Sequence, residues 1–214
     1  IRPEIITTVL KRLGKDYSFK SFSLSRSRRA IETVDMDISL VAMKGVGAGF
    51  FSDPYIYYSN VAVSLKKNNI KLTTIDDLFG HTTYAWQGAH SVLGEDFKAL
   101  YPKLGKKYHE IPKPPVLAKL LYLERSEVIL IDKFVFKYLW REMEKENGKM
   151  PEVDFHPILP ERVYFYAIFK DKELRDDFNR ELKVFKKEGG IQKLYQKYVP
   201  DISVEDLVWD VSEK

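Results

Sequence analysis

Helical and strand-like patterns alternate along this chain, and the alternation limits the folds that it can adopt. The first helical pattern is marked by apolar residues at Ile6, Val9, Leu10 and Leu13. A strand is expected at residues 17–22 and a second helix from Ser25, while the apolar run at residues 38–42 predicts a strand buried in a parallel sheet. Because helix, strand, helix and strand follow one another, the sequence predicts an α/β fold.

The alternation continues through the rest of the chain. Further strands are expected at residues 61–65, 82–86, 128–131 and 164–169. Further helices are expected to begin at Thr74, to run up to Leu100 after the fourth strand pattern, to begin at Pro114, to follow Asp132, and to lie on both sides of Gly189 and Gly190. Short linker-like stretches occur near residues 58–60 and 157–162. Two such crossings predict a first lobe of residues 1–59 and 168–214 and a second lobe of residues 60–167, joined by a two-segment hinge.

The composition excludes several classes of protein. Apolar residues make up 44% of the 214, which is enough for a core and excludes a disordered chain. The absence of cysteine excludes disulfides, a thiolate nucleophile and cysteine-ligated metals. The net charge of +4 is dispersed, which argues against a nucleic-acid partner, and no apolar run approaches the roughly 20 residues of a membrane helix. No signal peptide is recognisable, and because the chain begins at Ile1 rather than Met, we expect that an upstream piece was removed.

An aromatic turn lies between the two sets of patterns, at Phe51-Ser52-Asp53-Pro54-Tyr55. Pro54 fixes its own φ and keeps Asp53 out of helical conformation, so the segment is expected to be a turn. Clustered aromatic rings of this kind either line a ligand cleft or fill a core. The position of the turn between two α/β sets favours the cleft.

Signatures of cofactor binding and catalysis are weak in this sequence. Glycines at positions 45, 47 and 49 resemble a dinucleotide loop, but Phe50 stands where a further glycine and a helix start are needed. No Gly-x-Ser-x-Gly elbow occurs. The histidines show no pair at metal-ligand spacing: His81, His90, His109 and His156. We therefore expect neither a cofactor nor a metal.

Two segments are candidates for binding a ligand. The 87–91 loop, which consists of Gln87, Gly88, Ala89, His90 and Ser91, leads from a strand end into a helix start, where N–H groups can bind an anionic or carbonyl group. Its alternative role is that of an ordinary capped turn. Asp132 follows four apolar strand residues and can either pair with a ligand ammonium group or cap the next helix. The two roles of Asp132 are compatible.

The basic segment with Arg26, Arg28 and Arg29 has two interpretations as well. On a helix, Arg26 and Arg29 share a face while Arg28 points elsewhere. The segment is either a solvated helix start or a binding site for a phosphate or an acid.

Four segments in this order resemble family 3 of the bacterial periplasmic solute-binding proteins, the amino-acid-binding type. The matching segments are Leu24 to Ala30 with Val34 to Ile38, Phe51 to Tyr55, Ile75 to Gly80 with Tyr84 to Gly88, and Leu174 to Tyr198. The resemblance covers almost the whole chain. It implies a type 2 periplasmic-binding fold, in which two α/β lobes close on a small ligand by hinge motion.

The resemblance also implies roles for particular residues. The 87–91 loop corresponds to the family's loop for the ligand carboxylate, and Asp132 to its acidic partner for the ligand amino group. Phe51 and Tyr55 correspond to an aromatic wall, and Trp86 is expected to offer a further ring face. Two departures are expected to matter. The family's first strand, which precedes the first helix, is absent here, and the carboxylate-clamping arginine falls near Gly45, where Lys44 is the nearest cation.

The predicted function is that of a periplasmic solute-binding protein, exported by a signal peptide, which captures a small polar ligand for ABC-type uptake. An amino acid, an organic acid and an amine all remain candidate ligands, and a monomer that meets a membrane permease is expected. One alternative is the ligand-sensing input domain of a receptor. Another is an enzyme on this fold, such as a dehydratase or a lytic transglycosylase, for which Asp132, Glu95 and Glu124 are candidate acids or bases.

Overall fold

The computed structural model of the chain describes residues 1–22, 31, 36–42, 47–160, 162–200 and 202. The predicted helix from Ser25, the three arginines of the basic segment and Lys44 lie outside these residues.

Helices and strands alternate in the described residues, as the sequence patterns predict. The α-helices are α1 (Arg2–Arg12), α2 (Glu95–Leu104), α3 (Pro114–Tyr122), α4 (Lys133–Asn147), α5 (Lys172–Lys187) and α6 (Gly190–Tyr198). The strands are β1 (Ile38–Ala42), β2 (Phe50–Phe51), β3 (Ile56–Tyr58), β4 (Asn60–Leu65), β5 (Thr83–Trp86), β6 (Tyr108–Ile111), β7 (Val128–Asp132), β8 (Val153–His156) and β9 (Val163–Phe169). No helix among the described residues combines the length and the apolar character needed to cross a bilayer.

The chain divides into two compact units. The first unit contains Ile1–Tyr57 and Tyr164–Lys214, and the second contains Tyr58–Val163. Among the described residues of the first unit, β9 is the central one of four strands in a sheet, with β1 and β2 beside it and β3 also paired to it. The α1 helix contributes its apolar side chains to the core of this unit through Ile5, Ile6, Val9 and Leu10.

Two expectations for the first unit are wrong. The strand at residues 38–42 forms, but β1 runs antiparallel to β9, with Ile38 opposite Phe169, and not in a parallel sheet. A mostly apolar run such as this one indicates burial and carries no information about strand direction. Residues 15–22 form neither helix nor strand, because residues 16–21 make no backbone hydrogen bond with any residue that the structure describes.

The second unit is built on a five-stranded mixed sheet in the order β6-β5-β7-β4-β8. The β5 strand runs parallel to both β6 and β7, whereas β4 runs antiparallel to β7 and β8. Successive residues of β7 point to opposite faces of this sheet, and each face is covered by its own core.

The two cores explain why residues 128–131 are all apolar. Val128 and Leu130 belong to one cluster, which includes residues of α2. Ile129 and Ile131 belong to the other cluster, which includes residues of α3 and α4. Because both faces of the strand are buried, each of these four positions is apolar. Burial of each such side chain stabilises the folded state by about 2 kcal/mol.

Local sequence signals set the ends of several elements. The 3-10 turn Ile75–Gly80 begins with a capping box between Thr74 and Asp77, which confirms the capped turn expected there. Asp171 caps α5 by accepting a hydrogen bond from the Leu174 amide at 2.6 Å. Between α5 and α6, Gly189 has a φ of +71°, a left-handed conformation that favours glycine.

Candidate functional site

The 87–91 loop and Asp132 lie at the same edge of the second unit's sheet. The loop follows the carboxyl end of β5, and Asp132 is the last residue of β7, which is the parallel neighbour of β5. Gly88 adopts a φ of +86°, and a short 3-10 turn from Ala89 to Ser91 follows it. In α/β sheets, the carboxyl ends of parallel strands are the usual position of a binding site.

The amides of the 87–91 loop converge on one carboxylate of the same chain, that of Glu110 in β6. Gly88 N donates to Glu110 Oε2 at 2.7 Å, and His90 N donates to Glu110 Oε1 at 3.0 Å. His90 Nδ1 and the Tyr108 hydroxyl also contact Oε1, both at 2.8 Å. Because an ionised carboxylate can only accept, His90 donates from Nδ1. Four donors thus surround one side chain.

This arrangement favours the ionised form of Glu110. Partial burial raises the pKa of its carboxyl, but the hydrogen bonds from His90, Gly88 and Tyr108 outweigh burial and lower the pKa below its ordinary value. Burial and the neighbouring Glu110 charge raise the pKa of Tyr108, so that its hydroxyl remains a donor. The His90 ring stacks on Tyr101 with its centroid 4.5 Å away. The loop is therefore built to hold a negative charge.

Asp132 acts as the N-cap of α4, which confirms the capping role expected from the sequence. Its Oδ1 accepts from Phe134 N at 3.0 Å and Val135 N at 2.8 Å, and its Oδ2 accepts from Ser59 N at 2.8 Å. The side chain is only 7% exposed, and burial raises its pKa to about 6 against the opposing effect of these three amides. A contact between Asp132 and a ligand ammonium group stays a prediction.

The aromatic turn forms part of the structure of the first unit. Tyr55 is fully buried and donates a hydrogen bond to Leu40 O, so its ring occupies the core position that the sequence left as an alternative. Ser52 pairs with β9 much as a strand residue would. Its amide donates to Ala167 O at 2.8 Å, and its side-chain Oγ, in place of a backbone carbonyl, accepts from Ala167 N at 3.0 Å. Phe51 is half-buried.

One face of α5 holds the backbone of this turn in place. The contacts are Arg175 Nη1 to Phe51 O at 2.7 Å, Asp53 N to Asn179 Oδ1 at 2.8 Å and Lys186 Nζ to Pro54 O at 2.6 Å. Burial lowers the pKa of Lys186 to about 8. Three polar side chains along one helix thus fix the shape of the turn.

The remaining candidate residues lie in different surroundings. Trp86, at the end of β5, is half-buried and packs against both cores of the second unit. Ser91 is exposed and donates from Oγ to Gly88 O at 2.8 Å, which closes the 3-10 turn. Gln87 continues the β5–β6 pairing by donating its amide to Ile111 O at 2.9 Å.

A cavity of about 960 Å³ lies in the first unit. It is bounded by residues 15–22, by residues 36–40, and by Ile6, Leu10, Asp171 and Leu174. None of the candidate binding residues that the structure describes lines it.

Two features of the site escaped sequence reasoning. Glu110 lies in β6, a strand of four residues whose sequence Tyr-His-Glu-Ile shows no clear pattern. The polar face of α5 resembles an ordinary solvent-exposed helix face. The sequence signal for Glu110 is weak. It consists of one acidic residue that follows a loop able to bind anions, with a helix between the loop and that residue.

Comparison with known proteins agrees with the geometry. The family model for bacterial extracellular solute-binding proteins, family 3, matches residues 1–201. The chain is 25% identical to the arginine-binding extracellular protein ArtP of Bacillus subtilis over 203 residues, which are 91% of this chain and 75% of that protein.

Solved structures show the same fold. A mutant of ArgBP from T. maritima superposes with a TM-score of 0.70 at 20% identity, over 94% of this chain and 85% of that one. A histidine kinase sensor domain with similarity to periplasmic binding proteins also superposes with a TM-score of 0.70, at 18% identity, over 92% of this chain and 85% of that one. The predicted two-lobed α/β fold and the predicted family are confirmed. The chain belongs to the bacterial extracellular solute-binding proteins, family 3.

Proposed function

We propose that this chain is a periplasmic, or otherwise extracytoplasmic, binding protein that captures a small polar solute and delivers it to an ABC-type transporter. The solute is an amino acid or a related organic acid or amine. The proposal takes this class from the family, and from the binding of arginine that the name of the ArtP relative gives for that protein.

The observation that supports the proposal best is the geometry of the 87–91 loop. The loop lies at the carboxyl end of a parallel strand, and its Gly88 and His90 amides are aligned on one charged group at hydrogen-bonding distance. These backbone donors hold the Glu110 carboxylate in place at this edge of the sheet, so that a fixed charge is available to recognise a small charged solute without a large rearrangement of the loop. Ser91 adds an exposed hydroxyl beside them.

A thermal-shift screen over amino acids, organic acids and small amines tests the proposal. A ligand present at 100 times its Kd stabilises the folded state by about 2.7 kcal/mol. For a protein of this size that corresponds to a rise in Tm of roughly 5–10 °C. A cooperative melting curve that no member of the panel moves would contradict the proposal.

His90 and His81 provide a matched pair of variants for placing the site. Each histidine contacts a glutamate through Nδ1 in the second unit, His90 at Glu110 and His81 at Glu127. We expect that His90→Ala reduces the ligand-induced shift and that His81→Ala leaves it unchanged. Equal shifts in the two variants would place the ligand elsewhere.

The second candidate function is that of a sensory input domain, because the sensor domain of a histidine kinase has the same fold. The full-length gene distinguishes the two functions. A membrane helix followed by a kinase or cyclase domain would favour sensing, and a neighbouring permease gene would favour transport.

A further inference from the structure

The anion position of the 87–91 loop is already filled by the chain itself. Every donor that the loop directs at this position, namely Gly88 N, His90 N and His90 Nδ1, contacts the Glu110 carboxylate. The fourth donor is the hydroxyl of Tyr108, which lies two residues before Glu110 in β6. A ligand carboxylate that used the same donors would have to displace Glu110 or lie directly beside its charge.

Both alternatives are unfavourable. Displaced from the loop, Glu110 would lose four hydrogen bonds while it remains partly buried, and a buried charge without partners is strongly disfavoured. A second carboxylate beside an ionised Glu110 meets the repulsion of like charges, which weak solvation at a partly buried site makes larger.

We propose that Glu110 is a specificity-determining residue, whose carboxylate occupies the anion position of the 87–91 loop and excludes ligands that would place a carboxylate there. This inference rests on the proposed function and names the solute class among those left open. The ligand is a cationic solute, an amine or a guanidinium compound that lacks a carboxylate at this position.

Glu110 is also able to contact such a ligand. The side chain is 17% exposed, and Oε2 accepts a single hydrogen bond from the described residues, that of Gly88 N. A carboxylate oxygen has two lone pairs, so Oε2 can accept one more hydrogen bond. A bond from an ammonium or guanidinium group is stronger than a neutral one because both partners are charged.

A titration with sodium acetate tests the filled anion position without any knowledge of the natural ligand. The backbone amide resonances of Gly88 and His90 are followed by NMR in the wild type, in Glu110→Ala and in Glu127→Ala. Glu127 is the matched control, because its carboxylate also accepts from a backbone amide, that of Thr82, at 2.7 Å.

We expect saturable shifts of the Gly88 and His90 amides in Glu110→Ala alone, since acetate then takes the position of the missing carboxylate. Equal shifts in the wild type, or none in a folded Glu110→Ala protein, would overturn the inference. Glu110→Gln serves as a second variant. It keeps an acceptor oxygen for the loop and removes the charge, which guards against loss of the fold.

Pairs of ligands that differ only in the carboxylate test specificity. Arginine is compared with agmatine, and histidine with histamine, by calorimetry. We expect the wild type to bind the amine at least 10-fold more tightly than the parent amino acid, and Glu110→Gln to reduce that ratio at least 10-fold. A wild type that prefers the amino acids would overturn the inference. If no compound binds either protein, the assignment of a cationic solute fails while the proposed function still stands or falls on the thermal-shift screen, and the acetate titration decides the role of Glu110.

Discussion

Replacement of Ser52 by alanine tests how the aromatic turn is joined to the sheet of the first unit. The Ser52 hydroxyl is the acceptor for the Ala167 amide at 3.0 Å, and Ala167 is fully buried in β9. In Ser52→Ala this amide loses its partner, while the bond from Ser52 N to Ala167 O stays in place. The substitution therefore leaves the buried Ala167 donor unsatisfied, and it also removes the hydrogen bond that the hydroxyl donates to Asp53 O at 2.7 Å.

The expected loss of stability comes mainly from the buried Ala167 donor. Leaving one buried backbone donor unsatisfied costs about 1–3 kcal/mol, so we expect the free energy of unfolding to fall by about 2 kcal/mol. The corresponding fall in Tm is roughly 4–8 °C for a chain of this length. Urea denaturation measures the free energy, and hydrogen exchange at Ala167 locates the effect.

Ser18→Ala is the matched control, because Ser18 is exposed and makes no hydrogen bond with a described residue. We expect this variant to unfold at the same urea concentration as the wild type. If Ser52→Ala lost no more stability than Ser18→Ala, and exchange at Ala167 were unchanged, the hydroxyl would not be the partner that holds the turn to the sheet.

Two further predictions concern a titrating carboxyl and a close contact. Because the pKa of Asp132 rises from 3.8 to about 6 on folding, the folded state binds the proton more tightly, and this contribution is present at pH 4 and lost as the pH rises through 6. Urea denaturation at pH 4 and pH 7 should therefore show that the wild type loses about 2 kcal/mol of unfolding free energy relative to Asp132→Asn over this range; an unchanged difference would refute this. A Cβ at Gly190 would overlap the Phe185 ring, so Gly190→Ala should lower the free energy of unfolding by about 1–3 kcal/mol. Gly80→Ala, where a Cβ meets nothing within 4 Å, should cost less than 1 kcal/mol, and equal losses would contradict the packing argument.

The elements with strong periodicity were predictable from sequence, and their neighbours in the sheet were not. Residues 128–131 were identified as a buried strand because four consecutive apolar residues are bounded by polar ones. The direction of β1 was predicted wrongly, because burial of an apolar strand is compatible with either orientation of its partner. The β6 and β8 strands were missed because each has only four residues of mixed character.

The candidate site was predictable only in part for a related reason. The 87–91 loop was found because a glycine after a strand is a local signal. Glu110 was missed because its contact with that loop spans 20 to 22 residues, and nothing in the local sequence pairs the two. The contacts of α5 with the aromatic turn span 124 to 132 residues and are equally invisible to a local pattern.

The Asp132 carboxylate, 73 residues from Ser59 in the chain, connects the Ser59 amide at the start of the second unit with the first turn of α4. An opening that frees the Ser59 amide also removes one of the three donors that hold the Asp132 carboxylate in its capping position. The two regions should therefore exchange their amide hydrogens as one cooperative group, with the same opening free energy. The Asp132 carboxylate thus gives the start of the second unit the same resistance to local opening as the start of α4.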